Sequence, residues 1–400
     1  MIMKTRQTQD ASSNDKTLGS VEHRRFCGSH GEAEHFFVIT APGNIGFKEQ
    51  IEYIEANYAA KLQALGLSSQ TAVFHRIFLS DTLNQIQIVG QSQLACDSQG
   101  QPVAVSIVQQ APMPYAKIAL LAYHIESNKP LEKERLSPSH VLIRKNGLGH
   151  LWSTNLSAQD SGKSLSVEAQ TRSVFEGLIS GLSAAGGDLY NNCVRTWVYV
   201  RDIDIFYQGM VNERRALFFE QGLNGDTHFI ASTGIEGTGT RLRDLVIMDA
   251  YSILGLKPGQ VFYLNDFGML CSANKYNVTF ERGTRVSYAD RSHYFISGTA
   301  SVDKQGSTIH LGNILKQLDR TLENIQSLLK AGKANISDMM YMIVYLRDLA
   351  DFDCVKKRLR EKFPLVPMIF VKAAVCRPEW LIEIEGFAIK AQKQPSYPLF

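Results

Sequence analysis

The 400-residue chain has no apolar run near the roughly 18 residues that a membrane-crossing helix needs, which excludes a helical span. It has no CxxC pair and no Cys/His cluster at zinc spacing. Its six cysteines, Cys27, Cys96, Cys193, Cys271, Cys354 and Cys376, lie far apart and read as thiols in a reducing cytoplasm, so no metal is expected. Blocks of Lys and Arg are also missing, and the net charge of +3 is close to balance, so there is no footprint for nucleic acid. Gly237-Thr238-Gly239 is not followed by Gly-Lys-Ser/Thr and has no strand-to-helix context, which excludes a phosphate loop. Residues 1–34, rich in Gln, Ser, Asp, Lys and His, lack the apolar core of a signal peptide, and a disordered tail is expected there.

What the chain does have is 44% hydrophobic residues, enough for two or three cores. It also repeats itself. Phe47, Ile51, Ile54, Tyr58, Leu62 and Leu65 form one helical stripe that Gly66 stops. Strands are expected at Thr71–Leu79, Val103–Val108 and Lys117–His124. The order returns with a helix around Val167–Leu182 ending at Gly186-Gly187, a strand at Val194–Val200, a helix over Asp204–Phe219 and a strand at Leu245–Ile253. It returns again with a strand at Tyr294–Ser301, an apolar helical stripe from Leu311 to Leu329, a strand at Met339–Leu346 and a helix capped by Asp351. The intervals Gly66–Asp81, Gly186–Asp202 and Gly332–Asp348 are nearly equal. This predicts an α+β chain of three tandem repeats, at 35–130, 140–256 and 257–400, each a sheet covered by helices on one face and packed on its neighbours by the other.

The segment Val366–Lys390 reads as two strands joined at Arg377-Pro378, and the second strand puts Glu383 and Glu385 on one face. A carboxyl on an apolar strand is solvated, paired with Lys or Arg, or held protonated, and the last case makes a general acid. At the same place the second repeat has Ile247 and Asp249, and the first repeat, over Lys117–Leu121, has no acid. One site is therefore expected, not three.

In the third repeat, residues 295–302 (FISGTASV), 317–332 (QLDRTLENIQSLLKAG), 345–352 (YLRDLADF) and 380–388 (WLIEIEGFA) resemble the reactive-intermediate deaminase (Rid, or YjgF-like) family, whose members are trimers with ligand sites between subunits. The resemblance implies Rid-like (chorismate mutase-like) repeats that form a pseudo-trimer within a single monomer. Rid deaminases hold a substrate carboxylate with an arginine after the proline that opens the penultimate strand; here Ile369 follows Pro367-Met368. Arg195-Thr196-Trp197 with Tyr199, Ala231-Ser232-Thr233-Gly234-Ile235, Ser297-Gly298-Thr299-Ala300-Ser301, and Cys376-Arg377-Pro378 ahead of Glu383 are more similar to the chorismatases, which cleave chorismate on this fold.

That resemblance implies a cofactor-free enzyme that releases pyruvate and a hydroxybenzoate from chorismate, with Glu383 as the acid. The spacing of Cys376 to Glu383 is that of the chorismatases that form a hydroxybenzoate, so Cys376 is expected to shape the product. Arg195, Arg282 and Arg377 are candidate carboxylate ligands because a guanidinium binds both oxygens. Tyr199 shares a strand face with Arg195, and Gly298 and Ala300 allow close approach of a ligand. Each has a structural alternative: an arginine paired with a neighbouring acid, a solvated loop charge, a small buried thiol, or a tight strand crossing. Imine deamination and non-catalytic binding remain as alternative functions.

Overall fold

The computed structural model describes residues 18–29, 31–97, 100–158, 165–266, 268–270 and 279–400. In the first part of the chain the elements are β1 (Ser20–Cys27), β2 (Ala33–Thr40), α1 (Phe47–Leu65), β3 (Ala72–Leu79), α2 (Thr82–Val89), β4 (Ala104–Gln109), β5 (Ala111–Pro112) and β6 (Ile118–Glu126). The second part has β7 (Glu132–Ser137), β8 (His140–Lys145), β9 (Leu148–Ser157), α3 (Val167–Ala184), α4 (Leu189–Asn192), β10 (Cys193–Val200), α5 (Ile203–Glu220), β11 (Ala231–Glu236) and β12 (Val246–Leu254). The third has β13 (Val261–Tyr263), β14 (Gly283–Ser287), β15 (Arg291–Thr299), α6 (Ile314–Ala331), β16 (Met339–Leu346), α7 (Phe352–Lys362), β17 (Met368–Lys372) and β18 (Ile382–Ala391).

The three sheets run β1-β2-β6-β3-β4, β7-β8-β9-β12-β10-β11 and β13-β14-β15-β18-β16-β17-β5. Within each, the same five-strand order recurs: a hairpin, then the last strand of the module inserted between the hairpin and a parallel pair. The parallel pairs, β3–β4, β10–β11 and β16–β17, are each joined through a helix, as a parallel crossover requires.

Several expectations are met at the level of single residues. The stripe on α1 buries Ile51, Ile54 and Tyr58, and Gly66 ends the helix with φ +68°, a backbone state glycine adopts without strain. Helix α6 buries Leu318, Leu322, Ile325, Leu328 and Leu329. Others need correcting. Residues 1–17 lie outside the described residues, but Ser20–Cys27 is not a tail: it pairs along its whole length with β2. Leu311 is 66% exposed and precedes α6, whose cap is Asn313. Asp351 stands before α7 but makes no capping hydrogen bond. The two strands around Arg377-Pro378 are not neighbours, because β16 lies between β17 and β18, parallel to one and antiparallel to the other.

The faces turned away from the helices meet in one core. Phe36, Phe74 and Tyr123 of the first sheet pack with Trp152, Trp197 and Tyr251 of the second and Phe295, Tyr341 and Phe387 of the third, around a cavity of about 30 Å³. Polar groups bridge the same junctions. Asn155 on β9 accepts from Ile107 N (2.8 Å) and donates to Val105 O (2.7 Å) of β4. Ser297 on β15 accepts from Ser232 N of β11 (3.0 Å), and Gly298 N donates to Thr233 Oγ1 (2.9 Å). The third sheet returns to the first through β5, which pairs with β17.

Between the first and second sheets, Asp249 is buried with Arg76, their atoms 3.1 Å apart, and accepts from Ser106 Oγ and Asn155 N. Removing one member of such a pair strands the other charge. Asp249→Ala is therefore expected to destabilise the protein by roughly 3–5 kcal/mol, read from urea denaturation.

Candidate active site

The site forms where β18 and β15 of the third sheet face β10 and β11 of the second. Alternation along β18 directs Glu383 and Glu385 to the same face, and both are almost fully buried, at 4% and 1% exposure. Their surroundings differ. Glu385 accepts from Arg195 Nη2 (2.8 Å), Trp197 Nε1 (2.7 Å) and the Thr233 hydroxyl, with Arg76 Nη1 3.9 Å away. Glu383 receives no hydrogen bond from the described residues. Burial first, and then the charge of Glu385, push its carboxyl up from 4.5 to about 8, against the lowering pull of Arg282 and Arg195.

Gly298 makes room for that carboxyl. A Cβ built there would lie 2.0 Å from Glu383 Oε1 and 3.0 Å from Thr233 Cγ2. The missing side chain lets the acid lie against the strand. Cys376, in the turn between β17 and β18, is half-buried beside Glu383 and Tyr207, and desolvation pushes its thiol up to about 12. It is a neutral thiol, not a nucleophile.

The structure sorts the remaining expected residues. Arg282 is buried and its charge acts on both Glu383 and Cys376, so the fold brings it together with them. Arg195 is also there, but it is committed to Glu385, Thr233 and Ser297. Arg377 donates to Gly306 O (2.8 Å) and lies over the Trp380 ring at 4.7 Å, which makes it a brace for the turn. Tyr199 is not beside Glu383; it is fully buried near Arg76, whose guanidinium is 5.7 Å from its ring centre. Ala300 sits in the core, its carbonyl taken by Asn324 of α6.

Sequence reasoning missed Tyr207 and Arg214 on α5. Arg214 is 1% exposed, donates through Nε to Thr279 Oγ1 (3.0 Å), and its charge acts on Tyr207 and Cys376. Its Nη2 has no hydrogen-bond partner among the described residues. The signal was available, since Arg214 interrupts the buried stripe Met210, Val211, Leu217, Phe218, where an arginine is out of place unless it serves something.

Only the third module carries an acid at this register. Opposite Tyr345 on β16 stands Glu383; opposite Tyr199 on β10 stands Ile247; opposite Phe78 on β3 stands Ala119. No cluster of three or more His, Cys, Asp or Glu able to hold a metal occurs among the described residues.

The strand order repeated in the three sheets defines a Rid-like fold. The family model described as Endoribonuclease L-PSP matches residues 285–390. A RutC family protein of Pyrococcus abyssi is 33% identical over 98 residues, 24% of this chain and 77% of that protein. The 3-hydroxybenzoate synthase of Streptomyces hygroscopicus is 28% identical over 223 residues, 49% of this chain; the match spans 63% of the synthase's length. A crystal structure of a chorismatase superposes with a TM-score of 0.60 at 17% identity, over 80% of this chain and 93% of that one. The chain belongs to the RutC family, and the superposition shows that it shares the fold of that chorismatase.

The fit of Glu383 against Gly298 is directly testable. Gly298→Ala is expected to displace the carboxyl and move its titration midpoint, followed by carbon-13 NMR of labelled glutamate. The effect on overall stability is expected to be no more than about 1–3 kcal/mol.

Proposed function

We propose that the protein cleaves the enolpyruvyl ether of chorismate, releasing pyruvate and a hydroxybenzoate, the 3-hydroxy isomer in particular. What carries this reading is the buried Glu383, its carboxyl pushed up to about 8, with the buried Arg282 and Arg214 grouped around the neighbouring Cys376. A dianionic substrate needs cations for its carboxylates, and an enol ether needs a proton at its methylene carbon. Glu383 supplies that proton, and the carbon bearing the ether oxygen becomes an oxocarbenium-like centre. Water or a ring hydroxyl adds there, and collapse of the adduct frees pyruvate. Where water adds, the diol that remains loses water to give the aromatic acid; where the ring hydroxyl adds, the remaining ring is already an isomer of that acid and aromatises by proton transfer alone. Pyruvic acid and hydroxybenzoic acid together contain the atoms of chorismic acid, so no oxidant, reductant or net water is needed.

Arg282 and Arg214 receive the carboxylates, and the neutral Cys376 thiol borders the ring and shapes which product forms. Arg195 serves indirectly, since its guanidinium is spent on Glu385. The three modules act as a pseudo-trimer within one monomer, working without a cofactor in the cytoplasm.

Two experiments test this. Purified protein incubated with chorismate should release pyruvate, and Glu383→Gln should lower kcat by about 10²–10⁴-fold while the fold is kept. The acid must be protonated to act, so kcat/KM is expected to hold at neutral pH and to fall as the pH rises through about 8. Absence of pyruvate from the wild type would end the proposal. Arg214→Met should lower kcat/KM by roughly tenfold or more through KM, the size of a lost charge-assisted hydrogen bond.

A further inference from the structure

Glu385 takes no part in the chemistry just described, yet it is more heavily bonded than Glu383. Each of its donors comes from outside its own module. Arg195, Trp197 and Thr233 belong to the second sheet, and the further cation 3.9 Å away, Arg76, which makes no hydrogen bond to it, belongs to the first. Glu383 lies two residues away on the same face of β18 and lacks such donors among the described residues.

The charged and titratable groups around Glu383 come from every element packed on it: Glu385 on its own strand, Arg195 on β10, Arg282 before β14, Cys376 in the turn, Tyr207 and Arg214 on α5, and Tyr345 opposite on β16. The thiol and the two phenols are uncharged, which leaves Glu385 as the anion of the set. Two carboxylates this close in a dry junction do not both ionise, and the one with the donors keeps the charge.

We infer that Glu385 is a positioning residue that keeps the proton on Glu383, and that the second module governs the acid by fixing the charge of Glu385 across the junction. The inference rests on Glu383 being the proton donor proposed above. The competing view is that Glu385 merely tethers two modules.

The experiment is Glu385→Gln, read in two ways. Without substrate, carbon-13 NMR of labelled glutamate should show the Glu383 titration midpoint falling below its wild-type value. With chorismate, kcat/KM at pH 8 should drop about tenfold or more yet return to within about threefold of wild type at pH 5.5, with KM little changed. A loss equal at all pH values, or an unmoved midpoint, would overturn the inference and leave only the tether. Glu385→Gln strands the Arg195 charge and can unfold the protein, so Arg195→Gln/Glu385→Gln, which removes the pair together, is the second variant. Its midpoint should also lie below that of the wild type, because the influence of Glu385 on Glu383 exceeds that of Arg195. If the wild type releases no pyruvate, the functional reading falls, while the NMR titration still decides whether Glu385 controls Glu383.

Discussion

Charge buried between sheets is the constraint that orders this molecule. A carboxylate removed from water costs several kcal/mol unless donors meet it, so a sheet that carries one on its inner face must dock where those donors are. The second sheet carries Asp249, and the first supplies Arg76 and Ser106. The third carries Glu385, and the second supplies Arg195, Trp197 and Thr233. By register, Ser106 beside Arg76 and Thr233 beside Trp197 are the same position in two modules. At the remaining junction that position is Ile369, beside Ile343, and the carboxylate position is Leu121. At these matched positions two junctions are polar and complementary and one is apolar, its buried charge lying elsewhere, where Glu34 of the first sheet meets Arg291 and His293 of the third, so exchanging modules would set a carboxylate against isoleucine. The arrangement selects one order of docking from several that share a strand pattern.

The site grows from the same rule. A second acid, Glu383, is tolerated on β18 because the first acid beside it is already saturated with donors and because a neutral carboxyl is far cheaper to bury than an anion. The interaction that docks the third module on the second also holds a charge beside its neighbour, adding to the burial that already raises that carboxyl. Packing and chemistry are therefore not separable at this junction.

Much of the fold was legible because it rests on local period and punctuation. The stripe from Phe47 to Leu65 and the stop at Gly66 are properties of adjacent residues, as is the run Met339–Leu346. The two acids and the missing side chain at Gly298 were also visible. What was not legible depends on partners far away in the chain. Nothing near Arg377-Pro378 reveals that β16 inserts between the flanking strands, since that is a contact of sequence-remote backbone. The polar composition of Ser20–Cys27 reads as disorder because one of its faces is solvated, while its pairing with β2 is set elsewhere. Arg195 and Tyr199 share a strand face but not a function, because their partners lie on other modules.

Comparison of two equivalent bends shows how the two polar junctions differ. Gly298 falls between Ile296 and Thr299, where the pairing of β15 with β18 shifts, and Asn155 falls at the matching shift between β9 and β12. Asn155 has φ +51° and fills its junction: it accepts from Ile107 N, donates to Val105 O and gives its own N–H to Asp249. With those bonds made, and Ile247 in the place of the acid, the junction is closed by complementary groups. At Gly298 there is no side chain to close it, and the space is taken by a carboxyl that makes no hydrogen bond to the described residues. A junction sealed by an asparagine is a joint; at the matching place the seal is missing and a buried carboxyl without hydrogen-bond donors among the described residues is set against the strand, which is the arrangement the proposed chemistry uses. The difference between scaffold and site thus comes down to two positions on one repeated template, 155/298 and 247/383.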